Sequence, residues 1–528
     1  MTGLTMPNIA LIGLFLTHIR TCGASNILVS PLIGKGSHFY LSAAIGEQLL
    51  VRGHNLTYLV SNAFEDHVKK SRFGEMFHYE VFKHSIPVED IHELFHNLSR
   101  SLSSVGPGNE YNVSKILFET QRNDCTAILE DEFLMTRLRS ANFSSLLYDT
   151  TWVCGAIIGE VLNLPYFAVV PYPSPCFHTA SEGSGFNPTY VPSIMTSYSS
   201  VMSFKERLIN SLAFVIYHNL GIQVTIKPYK PICERFGIAD PYDLMKKIKL
   251  WFVNSDFVAE YPCALPPNVI PVGGLTSRDP MQLSSDIEDF IQGSESDGII
   301  ICSFGTILTL DDSNMALFKM FVEAFTRLPQ RVLWLVKTSP PFPVPSSIKI
   351  LPWLPQNDIL GHPQTRAIFF HGGHNSYYEA IYHGVPVVAM PVIADHFDVS
   401  NRVVHFGLGL KLNKDNITSD MIYEALYEVT SNSTYMQTAK RMSANLRNRP
   451  MKPAERAAFW IDHALNHGTD NLEISAEHLN IFQYYLLDVI AFIFLVIIFS
   501  VYFTIKCIKV VCSRICRFRN PTIKEKAK

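Results

Sequence analysis

A short segment between a predicted strand and a predicted helix has the residue types of an anion site. It reads His371-Gly-Gly-His-Asn-Ser-Tyr-Tyr-Glu379 and follows the apolar run AIFF. The two glycines let the backbone approach a ligand closely. Asn375 and Ser376 fall at the helix N-terminus, where unpaired N–H groups and the helix dipole bind anions. The segment predicts a diphosphate site, but on spacing alone this is weak evidence, because neither a P-loop lysine nor a G-x-G-x-x-G motif is present.

A histidine in the first half of the chain could accept a proton. His38 stands in Lys35-Gly-Ser-His38-Phe-Tyr, at the end of a loop that enters the first predicted helix. Imidazole titrates near neutral pH, which suits proton removal from a hydroxyl whose own pKa is far above 7. A lone histidine is more often structural, so the residues alone leave this role open. Asp149 ends the predicted strand FSSLLY, which would put its carboxylate at the edge of a sheet.

Alternating strand and helix patterns position these residues in two halves of the chain. In the first half, a helix is predicted over Ser42–Arg52 and strands at Asn26–Ser30, Leu56–Val60, Phe143–Tyr148 and Tyr166–Val170. After the Pro/Gly-rich stretch Pro266–Leu275 the pattern restarts, with strands predicted at Gly298–Cys302, Val332–Val336, Ile348–Leu351, Ala367–Phe370 and Val387–Met390. Such alternation is typical of doubly wound parallel sheets. Two such domains joined near residue 275 would bind ligands in a crevice at the carboxyl ends of their strands.

The composition excludes two classes of protein. Of the 528 residues 47% are hydrophobic and 17% charged, which rules out an intrinsically disordered chain. The formal net charge of −3 argues against a nucleic-acid binder. The charge is uneven, because residues 506–528 hold eight Lys/Arg and one Glu. This excess of basic residues at the end of the chain needs an explanation.

The two ends of the chain predict a protein that crosses a membrane once. Leu486–Ile505 is apolar apart from Asp488 and is long enough to span the hydrocarbon core, and the basic flank that follows is typical of the cytosolic side. A buried core helix is the alternative. The apolar run Ile9–Leu16 predicts a signal peptide cleaved near Ala24, so the bulk of the chain would be lumenal. Six N-x-S/T sequons agree with that address.

The final residues and the cysteines give weaker indications. The chain ends Lys524-Glu-Lys526-Ala-Lys528, which resembles a dilysine signal for retention in the endoplasmic reticulum, although an ordinary basic tail is the alternative. The ten cysteines form no closely spaced disulfide or zinc framework. Several of them, in apolar runs, are expected to be buried thiols.

The stretch Trp353–His396 resembles the signature of the UDP-glycosyltransferase family, specifically its membrane-anchored animal members, which include UDP-glucuronosyltransferases. The resemblance extends from the leader to the dilysine tail. It implies an α/β fold of the GT-B type, with two Rossmann-like doubly wound domains facing a cleft, plus one C-terminal transmembrane helix. The implied activity is transfer of a sugar from a UDP-sugar to a small lipophilic acceptor, with inversion at the anomeric carbon.

This resemblance divides the chain into segments. Residues 1–24 would be the signal peptide, 25–275 the acceptor-binding domain and 276–460 the UDP-sugar-binding domain. Return helices (461–483), a transmembrane helix (484–505) and a cytosolic tail (506–528) would follow, which places the catalytic domains in the lumen of the endoplasmic reticulum. Membrane anchoring favours self-association, and no nucleic-acid partner is expected.

Residues that would hold the donor are carried over from the family position by position. Trp353 resembles the aromatic that stacks on uracil, Gln356 the residue beside it that contacts the uridine, and Glu379 the carboxylate on the ribose hydroxyls. Asp395 and His396 match the pair that hydrogen-bonds the sugar. The phosphate-binding positions lie in the HGGHNS segment and in a loop after an earlier strand, namely His371, Gly373, Asn375, Ser376, Ser303 and Thr306.

His396 departs from the pattern of many relatives. Members that use UDP-glucose or UDP-glucuronic acid often have Gln after the Asp, whereas Asp-His occurs in galactosyl-transferring ones. The donor sugar therefore stays open among glucuronic acid, glucose and galactose, and His396 could also be neutral in this choice.

The resemblance assigns the catalytic base to His38 and the carboxylate that orients it to Asp149. Such a pair follows the logic of the Asp in a Ser–His–Asp triad. No D-x-D motif occurs, so no metal is expected to stabilise the leaving UDP. A non-catalytic nucleotide-sugar or lipid-binding relative is the alternative function, and it would have no need of this pair. The acceptor is expected to contact residues 64–138 and 171–198, whose aromatics suggest an apolar hydroxylated molecule.

Overall fold

Two parallel β-sheets organise the first 473 residues of the chain. The structure, a computed structural model, describes residues 24–34, 36–103, 110–174, 186–305, 315–337, 342–473 and 479–519. The chain divides into two units, Met1–Glu473 and Ile474–Lys528, and both sheets belong to the first. The predicted signal peptide lies outside the described residues apart from Ala24.

The first sheet has seven strands within the described ranges, in the order β3-β2-β1-β4-β5-β6-β7. All its pairings are parallel, and its central strands are buried on both faces, as parallel sheets require. The strands are β1 Asn26–Ser30, β2 Asn55–Ser61, β3 His78–Phe82, β4 Ser145–Asp149, β5 Tyr166–Val170, β6 Leu250–Val253 and β7 Val269–Pro271.

The second sheet has six strands in the same described part of the chain, in the order β10-β9-β8-β11-β12-β13. It too is parallel throughout. The strands are β8 Ile299–Ser303, β9 Arg331–Leu335, β10 Ile348–Leu351, β11 Thr365–Phe370, β12 Val387–Ala389 and β13 Gly409–Lys411.

Helices connect the strands and cover both faces of each sheet. In the first half the α-helices are Gly36–Val51, Glu65–Lys69, Val88–Ser103, Glu110–Glu130, Glu132–Ser140, Cys154–Val161, Phe204–Gly221, Lys230–Arg235 and Pro241–Lys246. In the second half they are Ser285–Gln292, Met315–Thr326, Gln356–Leu360, His374–His383, His396–His405, Ser419–Ser431, Ser433–Arg447 and Pro453–His467. Helices Ile481–Tyr484 and Leu487–Arg519 form the second unit.

The strand order reverses at one point in each sheet. In the first sheet β1 lies between β2 and β4. The connections on the two sides of β1 therefore run over opposite faces of the sheet, which opens a crevice at the carboxyl ends of these strands. In the second sheet β8 lies between β9 and β11 in the same way. The prediction of two doubly wound α/β halves is confirmed, and each reversal point is where a ligand site is expected.

One predicted linker contains a strand. The Pro/Gly-rich stretch Pro266–Leu275 is predicted to connect the two halves, but Val269–Pro271 within it pairs with β6 as β7. Because β7 is the edge strand, Pro271 need not donate to a further neighbour, so proline is tolerated there. Three other strands, β3, β6 and β13, also went unpredicted.

A helix near the end of the first unit packs on the N-terminal sheet. Ala457, Ala458 and Ile461 of helix Pro453–His467 belong to the same core cluster as Phe39. On the same helix, Asp462 accepts from Arg52 Nη1 (2.7 Å) and pairs with His54 Nε2 (2.5 Å). The chain thus returns from the second sheet to the first before the second unit begins.

Two of the scattered cysteines are joined in a disulfide. Cys125 and Cys154 form a disulfide across 29 residues. Helices Glu110–Glu130 and Cys154–Val161 bring them together, and this contact has no signature in the spacing of the sequence. Cys263 is also disulfide-bonded.

The predicted apolar C-terminal helix is confirmed. Leu487–Cys516 is 30 residues long and apolar enough to cross a membrane, and its side chains are exposed. A bilayer core of about 30 Å needs about 20 helical residues, so this helix is more than long enough.

Candidate active site

His38 and Asp149 meet at the reversal point of the first sheet. His38 lies in the first turn of helix Gly36–Val51, which follows β1, and Asp149 is the last residue of β4. His38 Nδ1 is 2.7 Å from Asp149 Oδ2. Burial lowers the pKa of His38, but the charge and hydrogen bond of Asp149, with the charge of Asp395, outweigh it and leave the pKa raised. The sequence-predicted pair is therefore in contact.

Asp149 is fixed by the residues that follow it. Thr151 donates to Asp149 Oδ1 from its backbone N–H (2.8 Å) and from Oγ1 (2.5 Å). Thr151 Oγ1 also lies 2.7 Å from the hydroxyl of Tyr172. The Asp149 side chain is only 2% exposed. The carboxylate thus holds the His38 ring from a rigid position, while 21% of the His38 side chain stays accessible.

The HGGHNS segment follows β11 at the reversal point of the second sheet. Gly372 has φ +88°, and a Cβ there would stand 2.7 Å from the carbonyl oxygen of His396. A Cβ on Gly373 would stand 2.5 Å from Nε2 of His371. Gly373 is the N-cap of helix His374–His383, so unpaired N–H groups of this helix face the same region. Gly372 thus allows the close approach to His396, and Gly373 allows the close packing against the His371 ring.

The His371 ring is neutral at pH 7. Burial lowers its pKa to about 4, against an opposing effect of the Ser303 backbone. Ser303 ends β8, next to β11, and Gly305 also lies against the ring. Within the described residues, Nδ1 of His371 is buried without a geometrically satisfactory hydrogen-bond partner. Thr306 lies outside the described residues.

Three predicted uridine-site residues and one phosphate-site residue occupy one region. Gln356 Nε2 donates to Ser376 Oγ (2.9 Å) and to Glu379 Oε2 (2.7 Å). Burial raises the pKa of Glu379 to about 7, although the hydrogen bond from Gln356 opposes the shift. Trp353, three residues before Gln356, is 52% exposed.

Asn375 is oriented by a residue that sequence reasoning missed. Asn254, just after β6 and fully buried, donates from Nδ2 to Asn375 Oδ1 (2.9 Å). Asn254 Oδ1 accepts the N–H groups of Gly274 (3.0 Å) and Leu275 (3.4 Å). The only hint in the sequence is that Asn254 directly follows the apolar run LWFV.

Asp395 and His396 begin the helix after β12. Asp395 is its N-cap and lies close enough to His38 for their charges to interact. His396 Nδ1 accepts the N–H of Ile393 (3.3 Å), which leaves its other nitrogen as an N–H donor. Burial, with the nearby His371, holds the pKa of His396 well below its usual range. His396 is therefore an uncharged donor at pH 7.

A buried network joins the two sheets beside the HGGHNS segment. Glu260 contacts Arg402 Nε through Oε2 (2.6 Å) and His374 Nε2 through Oε1 (3.2 Å). Arg402 Nη2 donates to Ser174 Oγ (2.8 Å), and His374 Nδ1 lies 3.0 Å from the carbonyl oxygen of Pro171. Burial opposes ionisation of Glu260, yet Arg402 and His374 keep its pKa below the usual range. Sequence reasoning found none of these charges, because they are far apart along the chain.

The described part of the chain holds no group of three or more His, Cys, Asp and Glu side chains placed to bind a metal.

The structure brings His38 and Asp149 together on one sheet and the described donor-site candidates together on the other. The charge interaction between Asp395 and His38 connects the two sets.

Comparisons with known proteins agree with this architecture. A family model described as "UDP-glucoronosyl and UDP-glucosyl transferase" matches residues 25–520. The chain is 31% identical to UDP-glucuronosyltransferase 1A6 of Mus musculus, over 96% of this chain and 94% of that protein. It is 29% identical to 2-hydroxyacylsphingosine 1-beta-galactosyltransferase of Rattus norvegicus, over 93% and 91% of the two chains.

Solved structures show the same fold. Spinosyn forosaminyltransferase SpnP aligns with a TM-score of 0.58 at 14% identity, over 84% of this chain and 99% of that one. The calicheamicin glycosyltransferase CalG4 aligns with a TM-score of 0.54 at 19% identity over the same shares. The fold is therefore GT-B, as the resemblance implied. Because the family match covers nearly the whole chain and the relatives align from end to end, this protein belongs to the UDP-glycosyltransferase family.

Proposed function

We propose that this protein transfers glucuronic acid, glucose or galactose from a UDP-sugar to a hydroxyl of a small lipophilic acceptor, with inversion and without a metal. The observation that carries the proposal is the 2.7 Å contact between His38 and Asp149. His38 also lies close enough to Asp395 for the charges of these two residues to interact. A proton acceptor on one sheet therefore stands beside the sugar-binding position on the other.

The donor half binds UDP through groups suited to each part of it. Trp353 stacks on the uracil, and Gln356 and Glu379 bind the nucleoside, with the carboxylate on the ribose hydroxyls. His371, Asn375, Ser376 and the N-terminus of helix His374–His383 bind the diphosphate, with Gly373 and Ser303 close to it. Asp395 and the N–H of His396 hydrogen-bond the sugar hydroxyls.

The chemical step is a single displacement at the anomeric carbon. Because Asp149 engages Nδ1 of His38, Nε2 takes the acceptor's hydroxyl proton while the oxygen forms its bond to the anomeric carbon. The bond from that carbon to the diphosphate breaks, and UDP leaves with the electron pair. Attack from the face opposite UDP inverts the configuration. Asp149 stabilises the imidazolium that forms, and the helix N-terminus with His371 stabilises the charge on UDP.

Location follows from two features. The Cys125–Cys154 disulfide is typical of an oxidising compartment, and helix Leu487–Arg519 can anchor the chain. We place the catalytic domains in the lumen of the endoplasmic reticulum, with the tail in the cytosol. The proposed segments are a signal peptide (1–24), acceptor domain (25–275), donor domain (276–460), return helices (461–483) and transmembrane helix (484–505).

A binding assay with turnover tests the proposal. The full chain in lipid nanodiscs is titrated with UDP, UDP-glucuronic acid, UDP-glucose and UDP-galactose. Transfer of the sugar to a panel of phenols and sterols is then measured with and without EDTA, after subtraction of the hydrolysis of the UDP-sugar. We expect binding of UDP and one preferred sugar, and transfer that EDTA does not abolish. A folded sample that binds no nucleotide would overturn the proposal in favour of a lipid-binding relative.

Two variants assign the base and the donor determinant. His38→Ala should keep UDP binding and lose about 10²–10⁴-fold in turnover, the usual contribution of a general base. His78→Ala, at an exposed histidine on β3, is the matched control and should be unaffected. His396→Gln tests the sugar choice, and an unchanged ranking of the three donors would show that His396 is neutral. Full turnover by His38→Ala would remove His38 from the mechanism.

A further inference from the structure

Helix Phe204–Gly221 and the turn after it carry a stripe of exposed apolar side chains. The stripe recurs every three or four residues, the spacing of one helix face. Its members are Val201, Phe204, Leu208, Leu212, Val215, Ile216, Leu220 and Val224, each 43–83% exposed. Scattered apolar residues are normal on a protein surface, but a continuous row of this length marks an interaction site.

The opposite face of this helix is fixed to the protein. Asn210 is fully buried; its Oδ1 accepts the N–H of Ser193 (2.6 Å), and its Nδ2 donates to the carbonyls of Pro188 (2.9 Å) and Val191 (2.8 Å). Phe214 stacks on Phe186 with ring centroids 3.9 Å apart. These contacts orient the helix, so the stripe faces outward because the fold holds it there.

Cationic groups flank the stripe at both ends. Lys205 in the first turn and Lys227 after the last apolar position are both exposed, whereas Arg207 donates to the carbonyl of Met202 (2.8 Å) and Lys230 pairs with Glu234 (3.9 Å). Glu206, by contrast, is engaged by the capping box with Ser203. An apolar face with basic residues beside it is the pattern of helices that lie at the boundary between lipid headgroups and acyl chains.

We propose that this stripe docks on the surface of a lipid bilayer, the one that the chain's own C-terminal helix crosses. The anchor is on the same molecule: about a dozen residues connect Glu473 to helix Leu487–Arg519, and extended they reach at most about 45 Å. By the proposed function this helix crosses a bilayer, so the linker tethers the first unit to that bilayer.

The helix lies on the membrane and does not cross it. Segment Phe204–Arg235 has the length and apolar composition of a span, but its helical register is broken by a π-turn at Ile222–Ile226 and by Pro228 and Pro231. The side opposite the stripe is bonded to protein through Asn210. A helix with one face on protein and one apolar face can bury only the latter in lipid.

Depth-dependent fluorescence quenching tests the docking. In the full chain with Cys507, Cys512 and Cys516 changed to Ser, a cysteine placed by Leu212→Cys is labelled with a small fluorophore. The protein is reconstituted in nanodiscs whose lipids carry nitroxides at the headgroup, at shallow or at deep acyl positions. We expect about a twofold or greater loss of fluorescence with shallow nitroxides and little with deep ones. Val51→Cys, at a residue 78% exposed, is the control and should be unquenched.

A second variant separates docking from misfolding. Leu208→Asp with Ile216→Asp changes only exposed positions, so UDP binding and thermal unfolding should be unchanged while quenching at Leu212→Cys is lost. Absence of quenching in the parent protein would overturn the proposal, and copper-induced cross-links between Leu212→Cys chains would then identify a second copy as the occupant. Strongest quenching by deep nitroxides would also overturn it, in favour of a crossing helix. None of these readouts depends on the enzyme's activity.

Discussion

Asn254 donates a hydrogen bond to Asn375 over 2.9 Å and thereby determines which end of the Asn375 amide faces the proposed diphosphate site. Two backbone N–H groups, of Gly274 and Leu275, occupy Asn254 Oδ1, so its Nδ2 must point toward Asn375. Asn375 therefore presents Oδ1 to Asn254 and keeps its Nδ2 to donate to an anion. A residue of the first half of the chain thus sets the orientation of a proposed donor-site residue that follows the second sheet.

Asn254→Asp should weaken the binding of UDP much more than the binding of uridine. The aspartate accepts but does not donate, so Asn375 turns and presents its carbonyl to the phosphates. Loss of a hydrogen bond to a charged group costs about 1.5–3 kcal/mol, or roughly a tenfold or greater rise in the UDP dissociation constant. Uridine, which lacks phosphates, should bind with an affinity within about twofold of wild type.

Isothermal titration of UDP and uridine, together with a thermal unfolding scan, checks this prediction. Asn375→Ala supplies the reference, because it removes the same donor directly and should give the same selective loss. Equal weakening of both ligands by Asn254→Asp would mean that Asn254 only supports the fold.

Much of the fold and the core of the candidate site could be predicted from residues that are local in sequence. β1, β5 and β10 match their predicted bounds, because each is a short apolar run between turn residues. The HGGHNS segment is equally local, since strand, glycines and helix start follow one another.

Long-range contacts could not be predicted in this way. Asn254 and Asn375 are 121 residues apart, and Glu260 and Arg402 are 142 apart. The roles of these four residues depend on their burial, and burial is determined by the tertiary fold and not by the local sequence. β7 was missed because Pro271 and the prolines before the strand indicate a linker, and only the place of β7 at the sheet edge makes Pro271 tolerable.

The pH profile of transfer should have an acidic limb set by His38. The base acts when deprotonated, so kcat/KM falls as pH falls through its pKa, which Asp149 and Asp395 raise above the usual 6.5 despite burial. Asp149→Asn removes the main source of the increase, so burial then dominates and the midpoint should move to lower pH. At the same time the maximal rate should fall, because the imidazolium loses its partner.

Initial rates from pH 5 to 9 for wild type and Asp149→Asn, with donor binding measured at each pH, test both statements. A midpoint that stays in place in Asp149→Asn would show that another group controls the limb. Thr151→Val is a useful companion, since it loosens Asp149 without removing its charge and should lower the rate while largely keeping the midpoint.

Uridine binding should strengthen as pH rises through about 7, because burial raises the pKa of Glu379 to about 7 in the free protein. Ribose hydroxyls donate to the carboxylate, so they favour its ionised form. Between pH 6 and 8 the ionised fraction rises from about a tenth to about nine tenths, which gives up to about a tenfold gain in affinity. Uridine is the appropriate probe because it has no phosphate that titrates in this range.

Glu379→Gln removes this titration and should make uridine affinity nearly independent of pH over the same range. Titrations of wild type and Glu379→Gln in matched buffers give the comparison. A wild-type affinity that does not change between pH 6 and 8 would argue that Glu379 does not contact the ribose.

Arg402→Met should destabilise the protein far more than the loss of an exposed ion pair. Glu260 and Arg402 are 1% and 4% exposed in their side chains, and without Arg402 the carboxylate keeps only His374 and weak contacts. Removing one partner of a buried pair costs about 3–5 kcal/mol.

Arg447→Met is the matched control: its pair with Asp279 is about half exposed, and such pairs contribute at most about 1 kcal/mol. Thermal unfolding of the full chains in the same detergent compares them. The double variant Arg402→Met with Glu260→Leu should recover part of the loss, because no buried charge is then left unpaired. If Arg402→Met and Arg447→Met unfolded at the same temperature, the network could not be what joins the two sheets beside the HGGHNS segment.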